Sequence, residues 1–213
     1  NGDYSGRRFS TLKEINSANV KGLTLGWVVR PSMGTLGAIV GGEGPDTQPP
    51  GNGAFRPEIK STPLLVNGTL YLTMPDNVWA VDARTGLQKW HFYWKTRGGI
   101  HIGNRGVGMY GNWLYFLTPD NYFVSLVAST GKERCHKEIA NVKREYFSTT
   151  APIVIRNHVI IGVGGDSLDV PGYLESHNAE TGELEWRWYV VPQKADDPGI
   201  ESWPNLEMAK HGG

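Results

Sequence analysis

Short stretches of alternating apolar and polar residues fill the segment between positions 61 and 94. They read STPLLV, TLYLTM, VWAVDA and LQKWHFYW. Turn-forming residues separate them, namely Asn67-Gly68, Pro75-Asp76-Asn77 and Arg84-Thr85-Gly86. Because side chains along a strand point alternately to opposite faces, the pattern predicts short strands joined by tight turns, four in this segment.

The same phrase returns twice further along the chain. LYLTMPDN at 70–77 and LYFLTPDN at 114–121 align without gaps at an offset of 44, and a third copy reads YLESHNAETGELEW. Successive Thr-Gly pairs are 45 and then 51 residues apart. A single four-stranded sheet cannot bury its faces, so repeats of this length must stack. The repeat predicts an all-β propeller; a helical solenoid fits poorly, because no segment keeps a helical apolar period.

A large aromatic residue follows the Thr-Gly pair in two of the copies. Trp90 and Trp186 stand four residues after Gly86 and Gly182, and we expect each indole to pack flat against the next sheet. The middle copy has Cys135 at this position, so a weaker contact between sheets is expected there. Cys135 is interpreted as a small buried side chain, with a reactive thiol as the alternative.

The repeat also sets the expected boundaries. We expect W-shaped, four-stranded blades at 58–95, 100–140 and 146–191. Before them come an opening segment at 1–30, with a short turn or helix near its middle and a strand ending near Arg30, and an irregular Gly/Pro-rich loop at 31–57. After them comes a loop tail at 192–213.

Composition narrows the class of protein. The 213 residues include 21 acidic and 21 basic side chains, and 39% are hydrophobic, as in an ordinary globular protein with a core. A pI near 7.2 without a Lys/Arg block argues against a nucleic-acid partner. No apolar run reaches the roughly 18 residues of a membrane span, and the start NGDYSGRR lacks a signal-peptide core. We therefore expect a soluble protein, or the soluble part of a longer one.

The number and spacing of the cysteine and histidine residues do not favour a metal site. Cys135 is the sole cysteine, so neither an intrachain disulfide nor a clustered cysteine site is available. The 6 histidines are scattered, with no pair at a helical ligand spacing. A metal site built from cysteines or from paired histidines is therefore not expected.

Three further segments are more specific than the repeat, namely NRGVGMYGNWLYF, STTAPIVIRNHVIIG and GGDSLDVPGYLES. In this order and spacing, and together with the Thr-Gly and tryptophan repeat, they resemble the quinoprotein alcohol dehydrogenases that use pyrroloquinoline quinone (PQQ). The resemblance covers nearly the whole chain. The Thr-Gly repeat alone is less specific, because cofactor-free propellers of the same superfamily also carry it.

The resemblance implies a closed propeller of roughly eight blades, of which this chain holds about three and an opening segment. An open arc of blades would leave apolar faces and strand edges in water. We therefore expect further polypeptide or neighbouring chains to supply the remainder. The family's catalytic aspartate, and the tryptophan beneath the cofactor, are expected beyond Gly213, so this fragment alone would be inactive.

Several positions match PQQ-binding residues of the family. Arg105 matches an arginine that pairs with one PQQ carboxylate, which suits its planar, permanently charged fork. Thr149 matches a threonine that bonds another carboxylate. The backbone of Gly164 and Gly165 is expected to line the cofactor, with Asp166 beside it, although the family commonly has serine where Gly164 stands. Read without the resemblance, Arg105 could bridge strand ends through a carboxylate, and Thr149 could be an ordinary strand residue.

Three positions depart from the family pattern. Gly99-Ile100 replaces two adjacent cysteines of methanol-oxidising relatives, and Lys60 replaces a glutamate. Ser167 replaces the glutamate that ligates calcium, and a hydroxyl is a poor substitute because calcium prefers several anionic oxygens. Asp169 is a weak candidate metal ligand and Asp166 another, although both aspartates could simply be turn residues.

Two functional hypotheses follow. The first is part of a periplasmic, PQQ- and calcium-dependent alcohol dehydrogenase, which passes hydride from an alcohol to the quinone and electrons to a cytochrome c. The second is a propeller that has lost its cofactor and has a structural or protein-interaction role. The departures at Lys60, Gly99-Ile100 and Ser167 support the second, because they fall in one pocket while the blade-forming residues are intact.

Overall fold

The computed structural model of the chain describes residues 10–46, 58–99, 102–165 and 169–211. Within these ranges it contains 13 β-strands in three sheets. The first sheet consists of β1 (Ile39–Gly41), β2 (Leu64–Val66), β3 (Thr69–Met74), β4 (Asn77–Asp82) and β5 (Gln88–Trp94). The second consists of β6 (Gly108–Tyr110), β7 (Trp113–Leu117), β8 (Tyr122–Val127) and β9 (Glu133–Glu138). The third consists of β10 (Ile153–Ile155), β11 (His158–Val163), β12 (Tyr173–Asn178) and β13 (Leu184–Tyr189).

Each sheet is a meander, as the repeat predicts. Sequence neighbours pair antiparallel in the orders β2-β3-β4-β5, β6-β7-β8-β9 and β10-β11-β12-β13. The pairing of the last two strands shifts register at an equivalent point in every sheet, namely Ala80/Val81, Ser125/Leu126 and Ser176/His177. The copies therefore share backbone irregularities as well as strand order.

One strand lies in the segment that was expected to be irregular. β1 belongs to the Gly/Pro-rich region 31–57, yet it pairs in parallel with β5, with Ile39 opposite Phe92. The amide of Gly44 then donates to the carbonyl of Lys95, at 2.8 Å. The sequence pattern does not show this strand because its three residues, IVG, are too few to display an alternation.

The two ends of the chain also differ from expectation. The opening segment has a 3₁₀ turn at Val20–Gly22, but residues 10–38 contain no strand, so the strand expected to end near Arg30 is absent. The expected loop tail contains a 3₁₀ turn at Ile200–Ser202 and a helix, α1, at Leu206–His211. None of the helices in the described ranges has the length and apolar character needed to cross a bilayer.

The core lies between neighbouring sheets. On β7, Leu114 and Phe116 join the cluster shared with the first sheet, whereas Tyr115 and Leu117 join the cluster shared with the third. All four side chains are almost fully buried. Strand alternation therefore sends successive side chains to opposite interfaces, which is why this central strand is apolar on both faces.

The repeated tryptophan and Thr-Gly pair meet across an interface. The indole of Trp90 lies over Gly131 of the next sheet, where an added Cβ would be 2.7 Å from the ring. At the next interface, the Sγ of Cys135 takes the corresponding place over Gly182, at 3.2 Å from an added Cβ. Trp186 is 44% exposed, because no described sheet lies beyond β13. The expected packing is therefore present at Trp90, and Trp186 lies on an uncovered face.

Candidate cofactor site

The segments that precede β2, β6 and β10 converge at one place. We call these segments, residues 58–63, 102–107 and 147–152, the first-strand edge. Gly106 lies at the point of convergence, since an added Cβ there would be 3.2 Å from the carbonyl oxygen of Thr62 and 3.5 Å from the Cβ of Ala151. Its φ of 133° is also a conformation that glycine adopts far more readily than other residues. Residues from three sheets can therefore act together at this edge.

Arg105 is tied into this edge through its backbone. Its amide donates to the carbonyl of Thr149, at 3.0 Å, and its carbonyl accepts from the amide of Thr62, at 3.3 Å. Its Nη1 also donates to the hydroxyl of Thr149. Thr149 is buried, whereas Arg105 is exposed. The guanidinium is thus presented to the outside from a backbone that is fixed on both sides.

Asn104 holds the same segment in place through buried hydrogen bonds. It is 2% exposed, and its Oδ1 accepts from the hydroxyl of Thr73, at 2.6 Å, and from the amide of Gly106, at 2.9 Å. Its Nδ2 donates to the carbonyl of Leu117, at 2.9 Å. Buried amide side chains with all these partners fix a loop conformation. Sequence reasoning missed Asn104 as a positioning residue, although its place directly before Arg105-Gly106 was a usable signal.

Gly164 and Gly165 follow β11 of the third sheet, and Gly164 pairs with the segment that leads to Thr149. Gly164 forms a two-residue bridge with Phe147, with N–H to carbonyl distances of 2.7 and 3.0 Å. An added Cβ at Gly164 would meet nothing within 4 Å, so the serine of the family would fit there. At Gly165 an added Cβ would lie 2.3 Å from the Cγ2 of Val170. The backbone of Gly165 therefore needs glycine, whereas the position of Gly164 is open.

The expected metal ligands form no site in the part of the chain that the structure describes. Asp166 and Ser167 lie outside the described residues. Asp169 is exposed and has a φ of 47°, as turn aspartates often do. The described ranges contain no group of three His, Cys, Asp or Glu side chains that could hold a metal ion.

Of the three departures, the structure describes Lys60 and Gly99, and these two residues contact different segments of the chain. Lys60 donates from Nζ to the carbonyl of Ile102, at 2.9 Å, and lies 3.8 Å from the carboxylate of Glu58. Gly99 has a φ of 97°, and an added Cβ would be 2.0 Å from the carbonyl oxygen of Pro119. With this backbone there is no room for a cysteine side chain at Gly99. Its neighbour Ile100 lies outside the described residues.

A second concave region lies between the outer parts of the second and third sheets. It has a volume of about 620 Å³ and basic and aromatic walls. Two of its three arginines form ion pairs, Arg97 with Glu138 at 3.2 Å and Arg187 with the buried Glu175, and Arg144 lies 5.8 Å from the ring centroid of Tyr146. Arg187 also lies 4.2 Å from the ring centroid of Tyr173. Arg97 thereby links the end of the first sheet to the second, whereas Arg187 also donates to the carbonyl of Ile139 after β9, at 3.4 Å, so these contacts account for both arginines without a ligand.

Comparison with known proteins identifies the family. Residues 1–211 match the PQQ family described as glucose/ethanol/alcohol dehydrogenase, beta-propeller domain. The chain is 33% identical over 204 residues to the quinohemoprotein alcohol dehydrogenase ADH IIB of Pseudomonas putida, covering 92% of this chain and 26% of that protein. It is 34% identical over 186 residues to the quinoprotein alcohol dehydrogenase PedH of Pseudomonas putida, covering 85% of this chain and 28% of that protein.

Solved structures give the same result. The quinohemoprotein alcohol dehydrogenase from Comamonas testosteroni superposes with a TM-score of 0.70 at 32% identity, over 94% of this chain and 28% of that one. A europium-containing methanol dehydrogenase superposes with a TM-score of 0.63 at 26% identity, over 85% of this chain and 29% of that one. The chain therefore belongs to the PQQ dehydrogenase β-propeller family, which confirms the predicted fold class. It spans about a quarter of the length of these relatives.

Proposed function

We propose that this chain forms part of a PQQ-dependent alcohol dehydrogenase and supplies one side of its cofactor site. The observation that carries the proposal is the guanidinium of Arg105, bonded to the buried Thr149 hydroxyl where segments of three sheets meet. The chain belongs to the PQQ family, and the sequence resemblance predicts that the same two residues bind PQQ carboxylates. We further propose that the complete propeller has roughly eight blades and that other polypeptide covers Trp186.

The residues of this edge fit an anionic, planar group. The fork of Arg105 can donate two parallel hydrogen bonds to a carboxylate, and the Thr149 oxygen accepts from that fork while its O–H can donate to a carboxylate. An added Cβ at Gly164 would meet nothing within 4 Å, which would allow a flat ring system to approach the backbone there. When bound, PQQ would supply the capacity to accept hydride from an alcohol. This chain would supply binding and orientation, with Gly165 and Asp166 as further predicted contacts.

Calcium is less well supported in this segment. The described residues contain no cluster of three His, Cys, Asp or Glu side chains, and Ser167, Asp166 and Asp169 stay predictions. We propose an alcohol as substrate, a cytochrome c as electron acceptor and a periplasmic location, all on the basis of the family. The catalytic aspartate is proposed to lie outside this chain.

A cofactor-free propeller is the second candidate. Lys60 places a cation where the family pattern has a glutamate, and the backbone around Gly99 leaves no room for a side chain. Both features alter the surroundings of a quinone. On this alternative, the stacked sheets would persist and their faces would serve protein contacts.

Titration with PQQ separates the two candidates. The native protein should bind PQQ, followed by the change in quinone absorbance, and Arg105→Gln should weaken binding by roughly 10-fold or more, because a charge-assisted pair is lost. Arg84→Gln is the matched control, since Arg84 lies in an exposed turn between β4 and β5, at the other end of the strands. Absence of binding by the wild type, or equal binding by both variants, would reject the proposal.

A further inference from the structure

Lys60 contacts the short segment, residues 102–106, that contains Arg105. The ammonium of Lys60 donates to the carbonyl of Ile102, at 2.9 Å. Its stem lies along Gly103, where an added Cβ would be 3.1 Å from the Cδ of Lys60. Two residues after Lys60, the amide of Thr62 bonds to the carbonyl of Arg105. The segment 102–106 is therefore bonded at both ends to the strand entry that carries Lys60.

The charges of the two side chains are only weakly compensated within the described residues. There, the carboxylate that pairs with either cation is that of Glu58, at 3.8 Å from the Nζ of Lys60. The side chains of this pair are 48% and 64% exposed, and exposed pairs of this kind are weak. An ammonium has three N–H donors, and the carbonyl of Ile102 uses one of them. Two cations thus share one edge with donor capacity to spare.

We propose that Lys60 is a second cationic anchor of the cofactor site, so that Lys60 and Arg105 together bind a ligand with at least two carboxylates. The inference rests on the proposed function and names the charge pattern of its ligand. Arg105 provides a planar fork for one carboxylate, whereas Lys60 provides a compact point charge for another. Gly103 gives the stem of Lys60 room to lie against this segment, since an added Cβ there would be 3.1 Å from its Cδ.

A purely structural role for Lys60 makes a different prediction. If its function were only to bond the carbonyl of Ile102, replacing it would change local stability but not the affinity for anions. If it binds a carboxylate, its removal would lower affinity and also make affinity less sensitive to salt, since screening weakens charge attraction. Salt dependence is therefore a readout that a structural role would not move.

The test is a titration of the native protein with PQQ at several potassium chloride concentrations. Lys60→Gln should raise the Kd by roughly 10-fold at low salt and flatten its salt dependence. Lys60→Arg keeps the charge and should stay within about 3-fold of wild type. Lys132→Gln is the control, an exposed lysine in the turn between β8 and β9, at the opposite end of the strands from Lys60. Thermal unfolding of each variant establishes that it is folded.

The outcomes are distinguishable from failure of the proposed function. If wild type and Lys60→Gln bind PQQ with equal affinity and equal salt dependence, the inference is wrong and the proposed function survives. If wild type binds no PQQ, the proposed function fails, and the inference is decided by the same titration with citrate, a tricarboxylate without a quinone. Weaker binding of citrate by Lys60→Gln than by wild type supports the role of Lys60 as an anchor. Equal citrate affinity of the two proteins, or no citrate binding, overturns it.

Discussion

The indole nitrogen of Trp90 donates a hydrogen bond to the carbonyl of Ala128 in the next sheet, at 2.9 Å. Ala128 begins the Ala-Ser-Thr-Gly turn, and the ring of Trp90 covers Gly131 at its end. Trp27 makes the same pair of contacts one interface earlier, with the carbonyl of Ala83 at 3.2 Å and with Gly86. A tryptophan therefore packs on the Thr-Gly turn of the copy that follows it and donates a hydrogen bond to the first residue of that turn.

The close contact of the indole with Gly131 can be tested with two glycines that have the same φ. Gly131 and Gly68 both have a φ of 72°, but an added Cβ meets the Trp90 ring only at Gly131, and nothing within 4 Å at Gly68. Gly68→Ala should cost about 1 to 2 kcal/mol from backbone strain. Gly131→Ala should cost about 1 to 3 kcal/mol more, from overpacking. Equal losses in urea unfolding would show that the indole does not rest on Gly131.

The interface at Cys135 should depend on a tyrosine. Tyr115 donates to the carbonyl of Ala179, at 2.5 Å, where the shorter Cys135 side chain supplies no indole donor. Tyr71 donates in the same way to the carbonyl of Ala128, at 3.3 Å, but Trp90 bonds that carbonyl as well. Tyr115→Phe should therefore cost about 1 to 3 kcal/mol, since it leaves a buried carbonyl without this partner.

Tyr71→Phe is the matched control for that variant. The carbonyl of Ala128 keeps its bond from Trp90, so the loss should be about 1 kcal/mol or less. The free energies of unfolding of both variants decide the point. A loss in Tyr71→Phe as large as in Tyr115→Phe would show that the second donor does not matter.

Stability should fall in mild acid because of His91. The ring is 1% exposed and stacks on Trp79 with centroids 5.0 Å apart. Its Nδ1 has no hydrogen-bond partner among the described residues. Burial lowers the pKa of His91 to about 4, from an ordinary value of 6.5. Below pH 6.5 the unfolded chain therefore binds a proton at His91 that the folded chain does not bind. The free energy of unfolding should fall by about 3 kcal/mol between pH 6.5 and pH 4.

His91→Phe isolates that contribution, since phenylalanine can keep the stack on Trp79 but cannot take up a proton. The difference between the unfolding free energies of wild type and variant should shrink as the pH falls through this window. His211→Gln, at an exposed site on α1, should leave the pH dependence unchanged. Parallel curves for wild type and His91→Phe would contradict the assignment.

Glu43 should attach the segment that follows β1 to the second sheet. It follows β1, accepts a hydrogen bond from the hydroxyl of Tyr122 at 2.8 Å, and lies 3.4 Å from the Nε2 of His136. The bond from Tyr122, and then that from His136, lowers the pKa of Glu43, so it stays ionised at neutral pH. Glu43→Ala should speed hydrogen exchange at the amides of β1 by roughly 10-fold while β7 is unaffected. Glu183→Ala, which removes another surface pair, should change neither strand.

Much of the fold could be predicted because the repeat carries it. The alternation over β3 and β4 and the Thr-Gly turns are visible in the residue types. Together they predict antiparallel strands that pair in sequence order. Trp27 was missed because the opening segment has no alternation around it, although its contacts match those of Trp90. β1 was missed because its partners are backbone atoms of β5, which leave no trace in a sequence pattern.

The candidate site was predictable only in part. The family pattern pointed to Arg105 and Thr149, and the structure brings these two together. The role of Asn104 was not apparent, because its partners Thr73 and Leu117 are remote in sequence and in different sheets. These contacts form only because the three sheets pack together at this point. A local sequence pattern therefore does not predict them.

The most direct test of the account is a crystal structure of the native protein grown with PQQ. The account predicts a tricyclic quinone at the first-strand edge, with one carboxylate within hydrogen-bond distance of Arg105 and Thr149 and a second within reach of Lys60. A quinone bound away from these residues, or crystals that exclude PQQ while Arg105 and Thr149 keep their present contacts, would contradict it.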